Sequence, residues 1–300
     1  MRRVALVTWE ELPGLSEDDR ELLVPLRELG AAPSPAVWSD PGCDWAEFDA
    51  AVVRSTWDYH LRHAEFLAWL DRVATLTRLW NPPALVRWNS HKSYLADLAR
   101  SGVPVVPTRL CADVGRAMEV ARGEGWTRAV VKPAVSAAGH RTYLVDLRAG
   151  PSGRGPWSNA PPEGEVLVQP YLDEVERSGE RSLVFLNGRF SHAFLRAPRL
   201  APGSGLVEES PVQAVPAEVE LGREALGASP AATLYARADM VRDAAGTLRL
   251  MELELIEPAL GLRSAPGSAR AFAQAIAGAV DEGSQAGPDQ PAIEGIRSTR

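Results

Sequence analysis

At 300 residues, 45% of them apolar and 24% charged, the chain can form one large globular domain or two to three small ones with real cores. A net charge of −7 argues against nucleic acid as the main partner, because phosphate binding needs a basic surface. No stretch approaches the roughly 20 apolar residues of a membrane span. The apolar start breaks at Glu10, too early for a signal peptide, and the two cysteines, Cys43 and Cys111, read as buried thiols in a reducing compartment. The expectation is a cytoplasmic protein.

Short apolar strands alternate with helical segments through the first third. "VALVT" (4–8) reads as a strand, and Ser16 with Asp19 forms a capping-box pattern. A helix carrying Leu22, Leu23, Leu26 and Leu29 then stops at Gly30, with Pro25 predicting a kink or an early stop. "PAVW" and "AAVVRST" (50–56) are further strands, and 64–73 is a helix. This alternation predicts a doubly wound parallel sheet, with ligands beyond the carboxyl ends of its strands. "RSTWDYH" (54–60) is therefore placed at a mouth.

"WNPP" (80–83) punctuates, a capped helix covers 91–100, and "VPVVPT" is a short strand or extended link. The character then changes. A strand "RAVVKP" runs into the small, flexible "AVSAAGH", and a strand at 165–169 leads into "QPYLDEVERSGE". "RSLVFL-NG-RFSHAFL" is a hairpin turning at Asn187-Gly188. Residues 198–210 are rich in Pro, Gly and Ser and predict a mobile loop. A second hairpin, "LYARADMV" and "LMELELIEP", turns through Gly246, and a last helix covers 268–281. The domains predicted are 1–88, 89–168 and 169–282, with a disordered tail at 283–300.

The second hairpin poses a question of charge. At a two-residue period Met251, Leu253 and Leu255 share one face, and Glu252 and Glu254 the other, roughly 7 Å apart. Tyr235, Arg237, Asp239 and Val241 share one face of the partner strand. Asp239 can then lie across from Glu252, so that three carboxylates converge beside Arg237. Either this is a solvated acidic ribbon, or a divalent cation with few oxygen ligands sits there, as magnesium does when phosphates complete its shell. No "GxxxxGK[ST]" or "GxGxxG" occurs. Lys132 ends a strand just before a loop of small residues, Ser136 to Gly139, that can present backbone N–H groups to phosphates.

Taken in order, these pieces resemble the ATP-grasp family of carboxylate-activating ligases, over roughly residues 85–282. The resemblance implies an α/β (α+β ATP-grasp) fold: an N-terminal doubly wound parallel sheet, then two α+β subdomains that clasp ATP. It implies that Lys92 and Lys132 bind ATP phosphates and that Ser136 lies in the phosphate loop. "QPYL", with Gln169, Tyr171 and Leu172, is similar to the hinge that holds adenine through main-chain atoms, and Glu180 to the acid that binds ribose. Arg237 and Asp239 match the family's Arg-x-Asp pair. Glu252 and Glu254 match its closing metal pair, with Glu254 standing where Asn is common. "RSTWDY", "WNPP", "FSHAFL" and "LMELELIEP" further resemble the subgroup that includes a cyclo-ligase closing O-ureido-D-serine to D-cycloserine.

What this implies is an ATP-dependent carbon–nitrogen ligase. A small amino-acid-like carboxylate is activated as an acyl phosphate and joined to a nitrogen nucleophile, on a second molecule or the same one. Lys132 and Arg237 are the catalytic candidates. Asp239, Glu252 and Glu254 are the ligands for magnesium, with manganese as the alternative ion. Arg54 and Asp58 are candidates for substrate contact, while Trp57 and Tyr59 read as packing. His192 is open between substrate contact and core. The 198–210 loop would exclude water. A homodimer is a further expectation. A small-molecule kinase on the same ATP site, or an ATP-sensing protein without turnover, are the alternative readings.

Overall fold

A computed structural model describes residues 1–149, 162–196 and 209–285. The first layer is β1 (Arg2–Thr8), α1 (Glu17–Arg20), α2 (Leu23–Glu28), β2 (Ala31–Val37), β3 (Ala50–Ser55), α3 (His63–Ala74) and β4 (Arg78–Trp80). Its four strands are all parallel, in the order β2-β1-β3-β4. Alternation along β1 splits the sheet's two faces. Val4 and Leu6 pack in one core with Leu22, Leu26, Phe272 and Ile276, and Ala5 and Val7 in another with Trp38, Trp45, Phe66 and Trp69. The sheet is doubly wound, as expected. The expected helix after Ser16 is broken in two ahead of Pro25, because proline has no N–H to continue the ladder.

Next come α4 (Pro83–Asn89), α5 (Tyr94–Arg100), β5 (Arg109–Cys111), α6 (Val114–Gly123), β6 (Arg128–Pro133), β7 (Tyr143–Asp146) and β8 (Val166–Pro170). The strands form an antiparallel sheet in the order β5-β8-β6-β7. The remainder is α7 (Glu174–Ser178), β9 (Glu180–Leu186), β10 (Arg189–Arg196), β11 (Glu209–Val212), α8 (Pro216–Gly227), β12 (Tyr235–Arg242), β13 (Leu248–Glu254) and α9 (Ser268–Gln285). Its antiparallel sheet has the order β11-β10-β9-β12-β13. Asn187 and Gly188 both take positive φ, 47° and 70°, as a tight hairpin turn requires.

Each of the expected segments 1–88, 89–168 and 169–282 holds most of one sheet, but β8 runs past the second boundary to Pro170 and the cores cross both. α4 and α5 bury Leu85, Tyr94, Leu95 and Leu98 against Phe185, Met240 and Leu253 of the third sheet. α9 returns to pack on the first layer. Buried Asn81, in "WNPP", stitches the first layer to the third: its amide donates to the Tyr235 and Leu255 carbonyls and accepts from the Leu234 N–H. α9 reaches Gln285, past the expected start of the tail. Residues 286–300 and most of the expected 198–210 loop lie outside the described residues. Cys111 is buried and Cys43 half-buried, and both are free. Among the described residues no helix is long and apolar enough to cross a membrane.

Candidate active site

The second and third sheets face each other across a cavity of about 710 Å³. Lys92, Lys132, Ser136, Gln169, Tyr171, Leu172, Glu180, Arg237, Asp239, Glu252 and Glu254 all line it. Five strands, β6, β8, β9, β12 and β13, and the segment ahead of α5 therefore bring the sequence-predicted nucleotide and metal residues to one place. Lys92 sits just ahead of α5, where its backbone N–H donates to the Ala134 carbonyl at 2.8 Å. That bond ties the first lysine to the small-residue loop after β6. Within the loop Ser136 Oγ donates to the Pro133 carbonyl, and Ala138, Gly139 and Arg141 all take positive φ.

At one end the lining is apolar: Val106, Val130, Leu172, Val175 and Met251. The Tyr171 N–H is taken by the Arg128 carbonyl, and Arg128 stacks 4.5 Å over the Tyr171 ring. The Leu172 N–H has no partner among the described residues. Gln169 donates to Thr108 Oγ1 at 2.9 Å. An apolar slot with one free N–H at its rim fits a flat heterocycle.

At the other end charges interleave. The register pairs Asp239 with Glu252 and Arg237 with Glu254 across β12 and β13. A bulge follows Asp239, leaving Met251 without an opposite residue, so the expected inward row is corrected. Leu250, not Met251, joins Leu253 and Leu255 in the core, and Met251 turns to the cavity.

Glu252 is held by Lys92 and, at 3.4 Å, by Lys132. Burial alone would raise its carboxyl, but the two lysines hold it well below the usual range. Burial draws both ammoniums down. For Lys92 the close Glu252 more than offsets this, whereas for Lys132 burial prevails and its pKa is lowered. Asp239 is fully engaged. Its Oδ1 accepts from Ser182 and Arg237, and its Oδ2 from Arg237 and Arg196. Arg237 also pairs with Glu254, whose carboxyl burial nonetheless pushes up.

Convergence of three carboxylates on one point is corrected by this geometry. Among the described residues no group of three or more His, Cys, Asp or Glu side chains is arranged to hold a metal. The reason is Arg237, which separates Asp239 from Glu254, and the lysines, which engage Glu252. Glu252 and Glu254 keep 24% and 27% of their side chains open to the cavity, against 4% for Asp239. Two such carboxylates fit magnesium, which takes one or two from protein and the rest from phosphate and water. Asp239 fits a role as the anchor of Arg237 and Arg196.

The expected substrate contacts are placed elsewhere. Arg54 is buried, 2.8 Å from Asp19, stacked over Tyr235 and donating to the Pro258 carbonyl. Asp58 is also buried, accepts from the Trp38 indole, and lies 3.8 Å from Arg62. Neither lines the cavity. A lone charge at a strand end satisfied itself in the interior, because an unpaired buried ion is too costly. His192 is likewise absent from the lining. Its Nε2 lies 2.6 Å from the Leu260 carbonyl, which requires an N–H there.

Missed by the sequence reading were Arg196, which bridges Asp239 and Glu180 from the end of β10, and Glu257. Trp57 and Tyr59, read as packing, do line the cavity. Burial and the nearby Glu254 charge push the Glu257 carboxyl well above its usual range. Its one available sequence signal was its position in "LIEP", just beyond the end of a strand.

Residues 4–81 match the family described as the N-terminal domain of D-cycloserine synthetase DcsG. The chain is 35% identical over 292 residues to the cycloserine biosynthesis protein DcsG of Streptomyces lavendulae, covering 91% of this chain and 97% of that protein. The crystal structure of D-cycloserine synthetase DcsG superposes with a TM-score of 0.83 at 34% identity, over 93% of this chain and 99% of that one. More distantly, the fold is shared with the ATP-grasp ligase PsnB, solved with a phosphomimetic variant of its minimal precursor, Mg and ADP. That match has a TM-score of 0.63 at 16% identity, over 92% of this chain and 98% of that one. The chain therefore belongs to the ATP-grasp family of ATP-dependent ligases, in the group that includes DcsG.

Proposed function

We propose that this ligase acts in the cytoplasm on a small amino-acid-like acid, in natural-product biosynthesis of the cycloserine type. The γ-phosphoryl group of ATP moves to a carboxylate oxygen of the acid: the bond to the ADP oxygen breaks as the new O–P bond forms. A nitrogen of the same or a second molecule then attacks the acyl carbon, phosphate leaves with the C–O bond pair, and the nitrogen gives up a proton to water. One observation carries the reading. A single cavity joins an apolar slot with a free Leu172 N–H to a buried group of four cations, Lys92, Lys132, Arg196 and Arg237.

In this reading Leu172 holds the base, with Gln169 and Tyr171 shaping the hinge, and Glu180 accepts from the ribose hydroxyls. Ser136 and its neighbours in the small-residue loop offer backbone N–H groups to the phosphates. Lys92 and Lys132 balance phosphate charge, and Arg237 stabilises negative charge that grows on the acyl oxygen or the transferring group. Magnesium, held by Glu252 and Glu254, would supply charge neutralisation at the phosphates. The residues' own work is positioning, worth most where the site is closed to water.

The test is incubation with ATP, magnesium and O-ureido-D-serine or related acids, with phosphate measured by colorimetry and products by mass spectrometry. The expected result is equal amounts of ADP and free phosphate with a dehydrated, N-acylated product. A stable phosphorylated acid without free phosphate would instead identify a kinase and refute the ligase assignment for this substrate class.

A further inference from the structure

Of the cavity's carboxylates, Glu180 pairs with Arg196, Asp239 with Arg237 and Arg196, Glu252 with both lysines, and Glu254 with Arg237. Glu257 is different. Among the described residues its side chain has neither an ion-pair nor a hydrogen-bond partner, yet it lines the same cavity beside the aromatic side chains of Trp57 and Tyr59. Tyr59 is itself buried, and after burial the Glu257 charge does most to raise its hydroxyl.

The backbone around this glutamate is held from several sides. Trp57 Nε1 donates to the Glu257 carbonyl at 3.1 Å and Arg54 to the Pro258 carbonyl at 2.8 Å. Arg237 donates to the Ala259 carbonyl, His192 to the Leu260 carbonyl, and the Leu260 N–H to Asp18. Five side chains from the first and third layers thus fix four consecutive residues that belong to neither a helix nor a strand. Such a shell is what positions one functional group accurately. Arg54 and His192, which do not reach the cavity, hold the carbonyls of Pro258 and Leu260 just after Glu257.

We propose that Glu257, with the rings of Trp57 and Tyr59, is the subsite for the ammonium group of an amino-acid substrate. A carboxylate accepts charge-assisted hydrogen bonds from an ammonium, and aromatic faces attract a cation further. The subsite lies beside Arg237 and Glu254, at the charged end where the acid to be phosphorylated would sit. The inference rests on the ligase reading and adds which residues would recognise the amino group, which stays charged and unreacted while the carboxylate is activated.

The experiment is a panel of D- and L-amino acids, O-ureido-serine included, run against the corresponding 2-hydroxy acids, with phosphate release followed under saturating ATP and magnesium. Amino acids are expected to be substrates and their 2-hydroxy counterparts poor ones. Glu257→Gln should lower kcat/KM for the amino acid ten- to a hundredfold, mostly through KM for the acid, while KM for ATP stays unchanged. Glu257→Asp should recover part of the loss, and a circular dichroism melt checks that both variants fold. Turnover of 2-hydroxy acids as good as that of amino acids, or a Glu257→Gln enzyme with wild-type KM for the acid, overturns the subsite alone. Turnover confined to acids with no ammonium group does the same. No acid-dependent ADP formation at all, with ATP still binding, overturns the ligase reading beneath it.

Discussion

Glu252→Gln separates a repulsive acidic face from a lysine clamp. Were the carboxylates simply crowded on one side of a hairpin, removing one charge would stabilise the unliganded protein. The structure reverses that expectation, because Glu252 is the shared counter-ion of Lys92 and Lys132, whose side chains are only 8% and 12% exposed. Removing one member of a buried ion pair costs about 3–5 kcal/mol, and the partial opening of Glu252 to the cavity places the loss near the lower end, about 3 kcal/mol. At roughly 2–4 °C per kcal/mol the melting temperature should fall by about 6–12 °C. The pH dependence has a definite sign. In the wild type Glu252 is held below its ordinary 4.5, so its contribution is complete above that pH and is lost as pH falls below it. In the variant both lysines lose their counter-charge. Lys132, already lowered by burial, falls further below its ordinary 10.5, so the variant gains stability as pH rises toward that value. Melts recorded by circular dichroism between pH 6 and 10, without nucleotide, should show a wide gap between the two proteins that narrows at the alkaline end. A variant melting at or above the wild type at neutral pH would refute the clamp.

Arg54→Ala should unfold or strongly destabilise the protein, by about 3–5 kcal/mol, since Asp19 is left as an uncompensated buried charge. An unchanged melt with a raised KM for the acid would instead restore Arg54 as a substrate contact. Lys132→Ala should lower kcat/KM for ATP about a hundredfold, read as ADP release at limiting ATP; an unaltered rate removes it from the phosphate site. ATP at a hundred times its dissociation constant should stabilise the protein by about 2.7 kcal/mol in magnesium and by clearly less in EDTA, read by differential scanning fluorimetry. Equal shifts in the two buffers would take the metal away from Glu252 and Glu254.

What was legible in the sequence followed local periods and turn chemistry. Alternation put Glu252, Glu254, Arg237 and Asp239 on facing strands, and Asn-Gly fixed the first hairpin. The Ser16 cap also formed, with Asp19 donating its N–H to Ser16 Oγ at 3.0 Å. But Asp19 has a second task that no local pattern carries, as partner to Arg54 and Ser55 thirty-five and thirty-six residues on. That long-range pair is why a charged residue at a strand end, placed by the parallel-sheet rule at a ligand mouth, points into the protein instead. The bulge at Met251 escaped for a related reason: it depends on register with β12, and the apolar side chains on either side of it fit the same pattern. α4 was missed although Pro83 at its first turn is a start signal in its own right.

The placement of the cations also explains why the cavity can hold two buried lysines side by side. Lys92 and Lys132 repel one another, and after burial the Lys92 charge helps to lower Lys132, while Glu252, their shared partner, acts against it. With Glu252 between them the net charge of the group is halved, from two positive charges to one, in a site that water reaches poorly and where uncompensated charge is most costly. In the proposed ligase reaction a triphosphate, which carries more negative charge than one carboxylate, would displace Glu252 as the lysines' partner without leaving either ammonium unpaired. Glu252 would then be freed on the same face as Glu254, while Asp239 is engaged on all sides by Ser182, Arg196 and Arg237. In that reading one carboxylate of the hairpin is an exchangeable counter-ion and another a fixed anchor. It is burial and partner number, more than identity as Asp or Glu, that separates their roles.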